Sequence, residues 1–137
     1  MNQKNKYLID TSIWVEFFRG KSPAIKKRVL ELLAADRIVI NGVVISELLM
    51  GSRGKKETGF VEEKLSRLDY LESDREFFAL CGELGGKIRK SGVKMPLSDI
   101  MIAAHAKINN VVIFTLDRHF EAVGRLAGVQ YEILENF

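Results

Sequence analysis

Four acidic residues, far apart in the chain, carry the chemistry this sequence offers: Asp10, Glu47, Asp99 and Asp117. Each adjoins an apolar segment. Asp10 closes Tyr7-Leu8-Ile9, and Glu47 follows Val43-Val44-Ile45-Ser46. Asp99 opens Ile100-Met101-Ile102-Ala103-Ala104, and Asp117 stands just beyond the run at residues 111–115. Singly, each has a structural explanation. Asp99 and Glu47 in a first helical turn would complement the helix dipole. Asp10 and Asp117 would serve as caps or turn residues. Gathered in one place they need a different account, because two carboxylates about 4 Å apart repel by roughly 4 kcal/mol at an effective dielectric of 20. The usual relief is a proton or a bound cation. Oxygen donors without His or Cys support select a hard cation, Mg²⁺ first and Mn²⁺ second. The two histidines do not make a zinc set: His105 falls in a helical stretch, His119 follows Asp117, and no cysteine is near either. His119 is expected to start a helix or support the acids rather than to bind metal. Carboxylates holding Mg²⁺ suit phosphodiester hydrolysis, where the ion activates water, orients the phosphate and neutralises the leaving oxygen.

The elements that must gather these acids alternate along the chain. The pattern predicts strands over residues 7–10, 37–40, 68–71, 111–115 and 129–134. It predicts helices over residues 12–19, 24–35, 46–51, 57–67, 75–90, 99–108 and 119–127. Ile13, Trp14, Phe17 and Phe18 share one broad helical face, and Gly20, Gly92 and Gly128 sit where helices should stop. Strands alternating with helices imply an α/β fold with a parallel sheet covered on both faces. Such sheets place their ligand sites at the carboxyl ends of the strands. That rule sends all four acids to one edge of the sheet.

Composition narrows the classes. The chain has 137 residues, 47% hydrophobic and 28% charged, which fits one soluble domain spanning residues 1–137. No apolar run is long enough to span a bilayer. The lead from Met1 to Lys6 is polar, so no signal peptide is expected. The lone Cys81 cannot form an internal disulfide and reads as buried filler, which suits a reducing, cytoplasmic setting. The net charge of +3 permits a polyanionic partner without requiring one. Two basic clusters, Arg53, Lys55 and Lys56, then Lys87, Arg89, Lys90 and Lys94, read first as solvated faces. They become candidate phosphate contacts only if they flank the acids.

Four segments carry a family resemblance: Leu8-Ile9-Asp10-Thr11-Ser12, Ile45-Ser46-Glu47-Leu48, Pro96-Leu97-Ser98-Asp99 running into Ile102-Ala103-Ala104-His105-Ala106, and Thr115-Leu116-Asp117-Arg118-His119-Phe120. Each is weak alone; in this order and spacing they resemble the PIN domains, specifically the VapC-like toxins of type II toxin–antitoxin pairs. The resemblance covers nearly the whole chain. It implies a three-layer α/β/α sandwich around a central, mostly parallel sheet, Mg²⁺ or Mn²⁺ dependence, and endonucleolytic cleavage of RNA. It also implies roles. Asp10 and Asp99 would be the chief metal ligands, and Asp117 would help hold the metal or its water. Glu47 would orient or deprotonate the attacking water. Thr11, Ser12 and Thr115 would be hydroxyls supporting these acids, with simple capping an equal alternative for Ser12.

The same resemblance favours a homodimer, which the aromatic residues Trp14, Phe17, Phe18, Phe77 and Phe78 would help form unless they fill the core. It implies as well a small antitoxin, which would occupy an apolar groove on the face of the helix at residues 12–19, with the helix at 46–51 nearby. An arginine of that partner would plug the acidic pocket. The alternative is a PIN-type nuclease for RNA processing or DNA ends, without a toxin role; the small size argues for the toxin. A receiver-type phosphoacceptor would need an acidic pair after the first strand and a late lysine, neither of which is present. A non-catalytic binding module would be expected to lack one of the four acids.

Overall fold

The computed structural model describes residues 5–135, so Met1 to Lys4 of the polar lead lie outside the described residues. In chain order the elements are β1 (Tyr7–Ile9), α1 (Thr11–Arg19), α2 (Pro23–Ala34), β2 (Ile38–Asn41), α3 (Gly42–Gly51) and α4 (Gly54–Leu65). There follow β3 (Asp69–Leu71), α5 (Arg75–Lys90), α6 (Leu97–Asn109), β4 (Val112–Thr115), α7 (Phe120–Ala127) and β5 (Tyr131–Ile133).

All strand pairings are parallel, in the order β3-β2-β1-β4-β5. Leu8 of β1 lies between Val39 of β2 and Ile113 of β4. These three inner strands are buried throughout, which is why they read as unbroken apolar runs; β3 and β5 form the more exposed edges. Helices α1 to α4 pack on one another, as do α5 to α7, giving the three-layer sandwich. Leu8, Ile9, Ile13, Ile40, Ile102, Ile113 and Phe114 are fully buried between the layers. Each such side chain contributes about 1.5–3 kcal/mol by leaving water.

Connectivity decides where the site is. From β1 the chain winds outward through β2 to β3, then returns across the sheet to β4, beside β1, and ends at β5. The winding reverses between β1 and β4, and a crevice opens beyond the carboxyl ends of strands at such a reversal. Asp10 follows β1 directly and Asp117 follows β4 by two residues.

Several helices begin earlier than their periodicity suggests. The segment Asn41-Gly42 reads as a turn, yet Asn41 caps α3 by accepting a hydrogen bond from the Val44 N–H at 3.0 Å, so Glu47 lies in the second turn instead of the first. Helix α4 starts at Gly54, not residue 57, because Val61 and Leu65 anchor it to the core despite a poor opening sequence. Pro96 delivers the chain to α6 two residues before Asp99 is reached. Gly20 and Gly128 take the left-handed conformation that ends α1 and α7, as expected; Gly92 takes it one residue past the cap of α5.

Of the aromatics, Trp14 is 2% exposed and belongs to the core, where it stacks on Phe18 and meets Phe17 edge-on. Phe77 is also core, whereas Phe78 is half exposed. Cys81 is buried. No helix among the described residues is long and apolar enough to cross a membrane.

Candidate active site

Asp10 is the most buried of the four acids, at 6% exposure. As the residue before α1 it accepts the Thr11 N–H on Oδ1 at 2.8 Å, so it does act as a cap. Its other oxygen does something a cap does not need. Oδ2 accepts the hydroxyls of Ser12, at 2.8 Å, and Thr115, at 2.7 Å. Ser12 Oγ in turn accepts the Leu116 N–H at 3.1 Å, and Thr115 Oγ1 accepts the Asp117 N–H at 2.9 Å. These two hydroxyls therefore tie Asp10 to the chain leaving β4 and shape the turn that presents Asp117. Burial pushes the Asp10 carboxyl up from its ordinary value; the Thr115, Ser12 and Thr11 hydrogen bonds pull against that, and the Asp117 charge adds to it. A carboxylate offers about four lone-pair sites, so Oδ1 keeps one open while Oδ2 is saturated.

Glu47 projects from α3 and accepts the Thr11 hydroxyl on Oε1 at 2.7 Å. Thr11 and Asp10 are neighbours, so one short segment after β1 holds two of the four acids. Asp99 sits in the first turn of α6. Its carboxyl is pushed up to about 6, first by burial, then by the charges of Asp10, Asp117 and Glu47, with His119 pulling the other way. Thr11 links Glu47 to Asp10, Thr115 links Asp10 to Asp117, and donor atoms of Asp117 and Asp99 lie within 4.8 Å, so the four acids meet at one edge of the sheet.

Asp117 accepts the His119 N–H on Oδ1 at 2.9 Å, and the His119 ring nitrogen Nδ1 stands 3.3 Å from the same oxygen. One donor atom each from Asp99, Asp117 and His119 fall within 4.8 Å of one another. His119, expected to start a helix or support the acids, precedes α7 and brings a nitrogen beside the acid cluster. The signal was its position two residues after Asp117, where a tight turn folds the ring back over the carboxylate. The donor set is then carboxylate oxygens with one imidazole at the side, which accommodates Mg²⁺ and suits Mn²⁺ equally well. His105, by contrast, is buried away from the acids in α6.

Part of each basic cluster lines a cleft, and Arg53 shares one with an acid of the site. Arg53 lines a cleft of about 380 Å³ together with Glu47, Arg19 and Ser52. Arg89 and Lys94 line a second cleft, between α5 and α6, that reaches Leu97 at the start of the Asp99 helix. Among the described residues, none of the cations in either cluster is in an ion pair.

The face of α1 carries clefts on both flanks: one beside α3, lined by Val15, Phe18, Leu48 and Val61, and a more apolar one. The second lies between α1, α2 and α4, where Phe17, Phe18, Leu30, Leu33 and Phe60 line a space of about 510 Å³ over Trp14, with Lys64 and Arg67 at the rim. Helix α3 borders the other flank of α1, at the Glu47 cleft.

Comparison with known proteins agrees with this geometry. The PIN domain family model matches residues 7–126. The chain is 33% identical to Ribonuclease VapC2 of Rickettsia felis, over 96% of this chain and 97% of that protein. It is 27% identical to the tRNA(fMet)-specific endonuclease VapC of Shigella flexneri, over 88% of this chain and 94% of that one. Among solved structures, the DNA-bound VapBC complex of Salmonella typhimurium superposes with a TM-score of 0.79 at 25% identity, covering 94% of this chain and 98% of the other. VapBC2 of Rickettsia felis, bound to a promoter DNA fragment, gives 0.75 at 25% identity, with the same coverage. A parallel sheet that reverses between β1 and β4, an acid cluster at that reversal and a family match across most of the sequence lead to one assignment: this chain belongs to the PIN domain family and is a VapC-like member of it.

Proposed function

We propose that the protein is a metal-dependent endoribonuclease, using Mg²⁺ or alternatively Mn²⁺, and the toxin of a toxin–antitoxin pair. The observation that carries the reading is the gathering of the four acids: the Thr11 hydroxyl joins Glu47 to the Asp10 segment, Thr115 joins Asp10 to Asp117, and donor atoms of Asp99 and Asp117 lie within 4.8 Å, with the unpaired Arg53 in the Glu47 cleft. Asp10, Asp99 and Asp117 hold the ion, with His119 beside them. When bound, the ion supplies Lewis-acid stabilisation of the phosphate and a more acidic water. Glu47, held by the Thr11 hydroxyl, takes the proton of the attacking water or orients it. Ser12 and Thr115 favour the ionised form of Asp10, opposing its burial, by donating to Oδ2. Arg53, Arg89 and Lys94 steer the RNA backbone across the acids.

The partner is a small protein whose amphipathic helix lies in the α1–α2–α4 groove, with Phe60 as an exposed anchor point. The groove and the Glu47 cleft share Phe18, so a chain leaving the groove reaches the acids, where an arginine can bridge them. Co-expression tests this biology. The gene alone is expected to arrest growth and the adjoining short gene to restore it. Normal growth with abundant folded protein and no partner would contradict the toxin role and leave an RNA-processing nuclease.

We also propose a homodimer. Phe78 and Leu97 are 51% and 63% exposed on the walls of the α5–α6 cleft, and a two-fold pair would cover them. Light scattering should give twice the chain mass. A monomer mass that does not change with concentration would refute this.

A further inference from the structure

A buried polar path outside the acid cluster joins the helix of Asp99 to the helix of Glu47. Asn41 and His105 are both essentially inaccessible to solvent. The Asn41 amide is oriented by its cap, because Oδ1 accepts the Val44 N–H. Its Nδ2 therefore faces His105 Nδ1, at 3.0 Å, and donates to it. That assignment makes Nδ1 the lone-pair nitrogen and puts the ring proton on Nε2, which donates to the Glu72 carbonyl at 2.9 Å. The ring also stacks on Phe77 of α5, with centroids 3.9 Å apart. Burial keeps it neutral by lowering its pKa, with the Glu72 bond opposing.

A side chain that merely filled this space would need no polar atoms, and leaving a buried polar atom unpaired costs about 1–3 kcal/mol. Here both ring nitrogens and both ends of the amide have partners. His105 is in the same helix as Asp99, and Asn41 caps the helix that carries Glu47. Among the described residues, the only side-chain hydrogen bond to Glu47 comes from Thr11.

We propose that Asn41 and His105 act as a positioning pair that sets α3 against α6, and so fixes Glu47 relative to Asp99. The proposal rests on the nuclease reading for its effect on rate, but not for its effect on structure. It predicts a loss of turnover without loss of substrate or metal binding, since Glu47 is the one acid not assigned to hold the ion.

The test is a double-mutant cycle in the full chain. Asn41→Ser keeps a hydroxyl to cap Val44 but does not reach the ring. His105→Gln keeps the donor to Glu72 and loses the acceptor for Asn41. Each should lower kcat for RNA between about 10- and 100-fold, the scale of a misplaced catalytic group. The double variant should lose no more than either single one. KM and Mg²⁺ affinity should stay within about twofold. His105→Asn, whose Oδ1 replaces Nδ1 as acceptor, should recover most of the rate. Hydrogen exchange of the amides at 44–47 should rise in Asn41→Ser and His105→Gln, while β1 and β4 stay protected. Wild-type kcat and exchange in folded variants, additive losses, or exchange raised evenly across the sheet would each overturn the proposal. If the wild-type protein cleaves no RNA, the nuclease reading fails, and the exchange pattern still decides the positioning role.

Discussion

Asp99→Asn should reduce RNA cleavage by at least about 10²-fold, the scale of removing one charge-stabilising group from a reaction centre. In the metal-free protein it should also raise the melting temperature at neutral pH. The two effects have one origin. Asp99 is half-buried and lies under the charges of three other acids, so its ionised form costs the native state more than the unfolded one. Its carboxyl, pushed up to about 6 in the folded protein, stands above the ordinary value of 3.8. A raised carboxyl pKa means that the folded state takes up the proton first as pH falls. The penalty is therefore fully present above about 6, shrinks through the window between the two values, and is absent below the lower one. Asparagine should stabilise the metal-free protein at pH 8 and lose that advantage near pH 4. Mg²⁺ should raise the melting temperature of wild type and EDTA reverse it, with little of either in the mutant. A mutant with near wild-type turnover would remove Asp99 from the reaction. A wild-type protein whose metal-free stability is greater at pH 8 than at pH 5, in step with Asp99, would contradict the repulsion.

Trp14→Ala should cost about 3–5 kcal/mol of stability, the range for deleting a large buried aromatic. The side chain is 2% exposed, stacked on Phe18 and in edge contact with Phe17. Its Nε1 is buried without a hydrogen-bond partner, so the loss would come from packing alone and no polar contact is broken. Urea denaturation measures it directly. A change below about 1 kcal/mol would mean that the tryptophan is not core. Because Trp14 also floors the α1–α2–α4 groove, its loss would weaken partner binding through the fold. Phe60→Ala separates the two roles, since Phe60 is 53% exposed and lies on the groove wall. That variant should bind the partner more weakly while keeping its stability.

The inner strands and the edge on which the acids meet follow from local pattern. Leu8-Ile9, Ile38 to Ile40 and Val112 to Phe114 are apolar on both faces, as a covered parallel sheet demands, and acids just past such runs must collect at one edge. What the pattern could not reveal depends on contacts between distant elements. Asn41-Gly42 is equally good as a turn and as the start of a helix; in the structure Asn41 caps α3, and its amide also meets His105, 64 residues away. Leu30, Leu33 and Phe60 each look like ordinary amphipathic helix residues, and nothing local says that α2 and α4 close a second groove around Phe17 and Phe18. The hydroxyls of Ser12 and Thr115 read as capping groups until the strands bring both onto one oxygen of Asp10. His119 reads as a helix start until the turn after β4 sets its ring against Asp117.

The most direct test of the account is digestion of total cellular RNA by the purified, metal-stripped protein, with cut ends mapped by sequencing. The account predicts discrete internal cuts that appear when Mg²⁺ is added, vanish with EDTA, and are absent for Asp99→Asn. Undiminished cleavage by metal-stripped protein in EDTA would contradict the metal-dependent mechanism. Equal cleavage by Asp99→Asn would show that the acid cluster is not where the RNA is cut.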